Sequence, residues 1–100
     1  MSQSERQKGL RGERELANLF RDAGLNVQQL QRNTDGHSDL LVNGRLYVES
    51  KRQERLQLWL WLRQALVGAP RGTIPVVGFR RNHDDWYVTL RATDLAELLS

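Results

Sequence analysis

The chain has no cysteine. Disulfide bridges, thiolate nucleophiles and cysteine-ligated zinc are therefore excluded together, although this absence does not by itself fix a compartment. Proline occurs only twice, and no low-complexity tract or internal repeat interrupts the chain. Long apolar runs are also missing. The longest, Leu58 to Leu62, is far too short to cross a bilayer. Met1 to Gln7 is too polar for a secretory signal. These absences predict a cytoplasmic protein with no membrane partner. Lysine is scarce too, since Lys8 and Lys51 are the only lysines among 15 cations.

What remains is globular in composition, with 39% hydrophobic and 27% charged residues. One hundred residues suit a single domain over residues 1–100, with a core that is marginal for a free-standing protein. A dimer relieves that shortage. The net charge is +3 with a pI near 10, carried almost wholly by arginine. The planar guanidinium fork matches phosphate oxygens, so this surface suits nucleic acid better than a small acidic ligand.

Hydrophobic periodicity predicts a helix over Ser4 to Ala23, closed by Gly24. Leu16, Leu19, Phe20 and Ala23 form its apolar arc. Glu13 lies within about 20° of Phe20 on the helical wheel, where a helix built only for packing has leucine. Two readings of Glu13 stand: a functional acid, or a first-turn glutamate favoured by the helix dipole or by Arg14. Leu25 to Arg32, Asp39 to Val42 and Leu46 to Lys51 read as strands, and Glu54 to Gly68 as a second helix. Thr73 to Arg80 and Trp86 to Leu90 are two further strands. Thr93 or Asp94 is expected to cap a final helix through Leu99. This order predicts an α/β sandwich with a mixed sheet.

The second helix is apolar on two sides. Leu58, Trp61, Leu62, Ala65 and Leu66 form the main arc with Trp59 at its edge, while Leu56, Leu60 and Val67 lie nearly opposite. Such a helix is either covered by the C-terminal segment or buried against a second subunit, and the small chain favours the subunit interface.

Chemistry concentrates at Tyr47-Val48-Glu49-Ser50-Lys51, where strand alternation sends Tyr47, Glu49 and Lys51 to one face. The register of the preceding hairpin decides whether Asp39 joins them. A two-residue Asn43-Gly44 loop pairs Asp39 with Val48 and separates the acids. A three-residue loop, Asn43-Gly44-Arg45 with a bulge at the glycine, pairs Asp39 with Glu49. The functional reading requires the longer, bulged loop or an equivalent irregularity near Asp39. Two or three carboxylates converging beside phosphates suit Mg2+, which takes hard oxygen ligands and keeps several waters; Mn2+ fits in its place. Lys51 is then placed to orient or deprotonate a water; with no ion present, it pairs with Glu49.

Taken together, Lys8-Gly9, Glu13-Arg14-Glu15-Leu16, Gly24-Leu25, Asp39-Leu40-Leu41-Val42 and Tyr47 to Lys51 resemble the PD-(D/E)XK nuclease superfamily. Within it the chain is most similar to archaeal-type Holliday-junction resolvases. The resemblance implies a restriction-endonuclease-like αβββαβ core, with an extra strand and a short C-terminal helix beyond it. It makes Glu13 the helix-borne acid, Asp39 and Glu49 the metal carboxylates, and Lys51 the catalytic lysine, with the Ser50 carbonyl completing the metal site. Ser38 replaces the proline of the superfamily name. Thr34 and Ser38 are candidates for a serine that the resolvases carry in the loop before the aspartate. Gly36-His37-Ser38-Asp39 is also similar to virus-type replication-repair nuclease domains; His37 reads either as a phosphate or water contact or as an exposed turn residue.

The expectation is a Mg2+-dependent endonuclease on branched or duplex DNA, a homodimer paired through its second helix that resolves four-way junctions. Lys8, Arg11, Arg14, Arg32, Arg52 and Arg55 flank the motif and are candidate phosphate contacts, each with a solvated surface charge as its other reading. A flap, end or duplex nuclease and a non-catalytic nucleic-acid-binding module of the same fold are the alternatives. Setting Glu13, Asp39, Glu49 and Lys51 aside as site residues raises the charge of the remainder from +3 to +5, because three acids and one lysine leave.

Overall fold

A computed structural model describes residues 3–31 and 38–100, with side chains over 11–30 and 39–100. Arg32, Thr34 and His37, and the side chains of Lys8 and Ser38, lie outside that description. The elements run α1 (Gln3–Asp22), β1 (Val27–Gln31), β2 (Ser38–Val42), β3 (Leu46–Arg52), α2 (Leu58–Gly68), β4 (Ile74–Arg80), β5 (Tyr87–Thr89) and α3 (Ala92–Leu99). The fold is α/β: a five-stranded mixed sheet in the order β1-β2-β3-β4-β5, flanked by helices. β3 and β4 are parallel, joined by the α2 crossover, and every other neighbouring pair is antiparallel. Among the described residues no helix is long and apolar enough to cross a membrane.

α1 ends where glycine supplies the backbone that a left-handed cap requires. Gly24 has φ of 90°, its N–H bonds the Arg21 carbonyl at 2.9 Å, and the Leu25 N–H bonds the Phe20 carbonyl at 3.1 Å. This is a Schellman cap, and its two flanking apolar residues, Phe20 and Leu25, pack together on the core. The buried arc of α1 is rotated from the predicted one. Leu16, Ala17 and Glu13 are buried, whereas Leu19 is 46% exposed.

Two packed clusters lie on opposite faces of the sheet. Leu16 and Ala17 of α1 meet Leu40, Val42, Val48, Ile74 and Val76 on one face. Trp61 and Ala65 of α2 meet Val77 on the other, with Leu58, Leu62 and Phe79 beside them. Gly78 sets how closely α1 approaches: a Cβ there lies 2.5 Å from Leu16 Cδ2 and 3.5 Å from Val48 Cγ1. Gly12 does the same from the helix side, since its added Cβ lies 2.8 Å from Arg52 Cβ.

α2 starts one turn later than its composition predicts. Glu54 precedes the helix, and its carboxylate accepts the Asn82 N–H at 3.0 Å. Leu66, placed in the buried arc by sequence, is 51% exposed. α3 carries no side-chain cap from Thr93 or Asp94; Arg91 is the N-cap residue, and it binds Asp94 at 2.8 Å. Leu98 of α3 packs on the α1 side of the sheet, leaving the outer face of α2 to solvent.

Candidate functional site

The β2–β3 hairpin has the longer loop. Pairing runs Val42↔Leu46, Leu41↔Tyr47 and Leu40↔Val48, which leaves Asn43, Gly44 and Arg45 as the connection. Asn43 and Gly44 both have positive φ, at 54° and 65°, and the Arg45 N–H closes the turn on the Val42 carbonyl at 3.0 Å. Arg45 is the extra residue; its carbonyl turns away to accept the Ile74 N–H at 2.8 Å. Asparagine and glycine are the residues that tolerate this conformation. The irregularity thus falls on Arg45 and not on the glycine, with the register consequence unchanged. One further step along that register sets Asp39 across from Glu49.

The sheet forks at that step. Backbone pairing between β2 and β3 stops at Leu40↔Val48. β2 nevertheless continues beside β1 to Gln31↔Ser38, and β3 continues beside β4 to Arg52↔Arg80. Backbone direction identifies what faces the opening. The Arg45 carbonyl and the Gln53 N–H both bond β4, to Ile74 and Arg80. Alternation then turns the N–H and carbonyl of Leu46, Val48 and Ser50 toward β2. Ser50 lies past the last β2–β3 pair, so its carbonyl faces the fork.

Side chains follow the same alternation. Val48 packs against the α1 layer and Arg52 against Gly12, so Tyr47, Glu49 and Lys51 belong to the α2 face. The parallel register confirms this placement: Glu49 stands beside Val77 and Lys51 beside Phe79, both in the α2-side cluster. Asp39 is 7% exposed and Glu49 4%, and the buried Tyr47 hydroxyl donates a hydrogen bond to Asp39 Oδ2. Buried carboxylates on neighbouring strands repel unless a cation or hydrogen-bond donors hold them. Two carboxylates and a backbone carbonyl at an opening in the sheet are hard oxygen donors of the kind Mg2+ takes.

Glu13 is 5% exposed, and it follows Gly12, which abuts Arg52. It therefore sits at the forked end of the sheet but in the layer on the other face. Among the described residues no group of three or more His, Cys, Asp or Glu side chains is placed to hold a metal. The three-acid convergence expected from sequence is not present there; Asp39 and Glu49 form a pair. The reason is topological: a helical wheel shows which side of α1 is buried, not which face of the sheet it covers.

The basic candidates divide as well. Arg11, Arg14 and Arg55 are exposed. Arg52 is committed to the α1 face, where its Nε lies 3.7 Å from Glu15, an acid that also holds Arg80 at 3.1 Å. Arg81 is engaged in the β4–β5 turn, where its hydrogen bond, followed by that of the Asp85 N–H, holds the Asp84 carboxyl below its ordinary range. Tyr47 is the residue that sequence reasoning missed. In the three-residue register it lies diagonal to Asp39 on the same face, within reach of a long side chain, and that was a usable signal. No family model matches the chain, and neither a curated protein nor a solved structure does.

Proposed function

We propose that the chain is a divalent-metal-dependent DNA endonuclease of the PD-(D/E)XK type, cutting branched DNA as a homodimer that resolves four-way junctions. One observation carries this reading. The sheet opens at the position where two buried carboxylates and a lysine share a face, with the Ser50 carbonyl turned into the opening.

Asp39, Glu49 and the Ser50 carbonyl are the donors for Mg2+. When bound, such an ion offsets charge developing on the phosphate. Lys51 is half-buried beside Phe79 on the same face. Its ammonium donates to the scissile phosphate or orients the attacking water, and its four-carbon stem reaches past the strand end. Hydrolysis forms one phosphorus–oxygen bond from water and breaks one to the sugar, whose leaving oxygen takes up a proton. Exposed Arg11, Arg14 and Arg55 supply backbone contacts, which weaken steeply as salt rises. A location in the cytoplasm follows from the same reading.

The test sets a synthetic four-way junction, a flap and a linear duplex side by side with Mg2+, and with EDTA as control. The junction is expected to be cut fastest, and Asp39→Asn to lose about 10²-fold or more of the rate while keeping junction affinity. Faster cutting of the flap or duplex reassigns the substrate. Binding without any Mg2+-dependent cleavage leaves the non-catalytic module. Unchanged cleavage by Asp39→Asn removes the pair from the chemistry.

A further inference from the structure

Tyr47 is buried at 2% exposure, between Leu41 on β2 and Pro75 on β4. Packing alone asks for phenylalanine or a branched aliphatic residue at such a position. A buried phenol brings a hydroxyl that must find a partner, and here it finds Asp39 Oδ2. We infer that Tyr47 is a positioning residue for the cation site. Its hydroxyl fixes the rotation of the Asp39 carboxylate, holding one oxygen and presenting the other toward the fork. This inference rests on the proposed assignment of Asp39 and Glu49 as cation ligands.

The choice of donor is informative. A lysine or arginine in place of Tyr47 adds a positive charge beside the carboxylates and competes with a cation for them. A phenol holds one oxygen without that charge, and its rigid ring, locked in the sheet, costs little rotamer freedom on ordering. Tyr47 also lies two residues before Glu49 on the same face of β3, so one strand carries both a ligand and the group that orients the ligand across from it. Partners that orient ligands in this way typically contribute a factor of about 10–100 to metal affinity.

Mn2+ titrated calorimetrically into the full chain tests this without reference to cleavage. Wild type is expected to bind Mn2+, Asp39→Asn to lose binding, and Tyr47→Phe to bind about 10–100-fold more weakly. The melting temperature of metal-free Tyr47→Phe reports any purely structural loss, which leaves the affinity unmoved. Equal Mn2+ affinity in wild type and Tyr47→Phe overturns the inference while the metal pair stands. A wild-type chain that binds no Mn2+ overturns the pair itself, and the inference with it. An independent measurement needs no variant, because the chain has only two tyrosines. Mg2+ is expected to shift the ring resonances of Tyr47 and to leave those of exposed Tyr87 in place. Unshifted Tyr47 resonances at saturating Mg2+ overturn the inference as well.

Discussion

Gly78 has no side chain because Leu16 occupies the space one would need. A Cβ at 2.5 Å from Leu16 Cδ2 forces either the leucine off its rotamer or α1 away from the sheet. Gly78→Ala is therefore expected to destabilise the chain by about 1–3 kcal/mol, read from urea denaturation. An unchanged midpoint means that α1 does not press on β4 as described. Gly12 rests on Arg52 by the same close approach, so α1 is held against β3 as well as β4. Single residues were unevenly legible from sequence. Glu13 stood out because an acid on an apolar arc is costly, and it is indeed buried. In the sequence Arg52 reads, like Arg55, as a flanking phosphate contact, although strand alternation already sends it to the face opposite Glu49 and Lys51, where Glu15 awaits it.

At the scale of elements, the β2–β3 hairpin carries the functional register, with Arg45 as its extra residue. Deleting it joins Val42 to Leu46 through Asn43-Gly44 alone, a two-residue loop that keeps the Val42↔Leu46 register and therefore Asp39 across from Glu49. Leu40 and Val42, both buried, keep their places in the α1-side core. Because the deletion also removes the carbonyl that accepts the Ile74 N–H, it is expected to lower the melting temperature while Mn2+ binding survives. A folded deletion variant that binds no Mn2+ breaks the link between register and site. The elements and their order were readable because each has its own period or punctuation: Gly24 after α1, Asn43-Gly44 in the hairpin, Ala69-Pro70 after α2. What could not be read was the third dimension. Periodicity gives each helix a buried side, yet the sheet face it covers is set by the crossover from β3 through α2 to β4, a non-local property of the chain. That is why Glu13 on α1 and the acids of β2 and β3 belong to different layers.

The whole molecule leaves one side unfinished. Trp59 is 83% exposed and Val67 82%, with Leu60 and Leu66 about half exposed, all on α2. A groove of about 460 Å3 runs along Leu60, Arg63, Gln64, Val67 and Gly68. α3 packs on the α1 side and does not cover it. A second copy of the chain is the occupant we propose. In a twofold pair the same patch meets itself, so each α2 lays its apolar side against the other, and a junction with two strands to cut receives two sites. One substitution then enters the interface twice. Val67→Glu sets two like charges in an apolar contact, while in the monomer it changes only a solvent-facing position and leaves the fold intact. Sedimentation equilibrium is expected to give twice 11.6 kDa for wild type and 11.6 kDa for Val67→Glu, with identical circular dichroism. In the monomeric variant, nicking of a junction is expected to persist while paired cuts become independent of each other. A wild-type chain that sediments at 11.6 kDa at about 100 μM, a concentration at which a stable dimer stays associated, rules α2 out as the subunit contact.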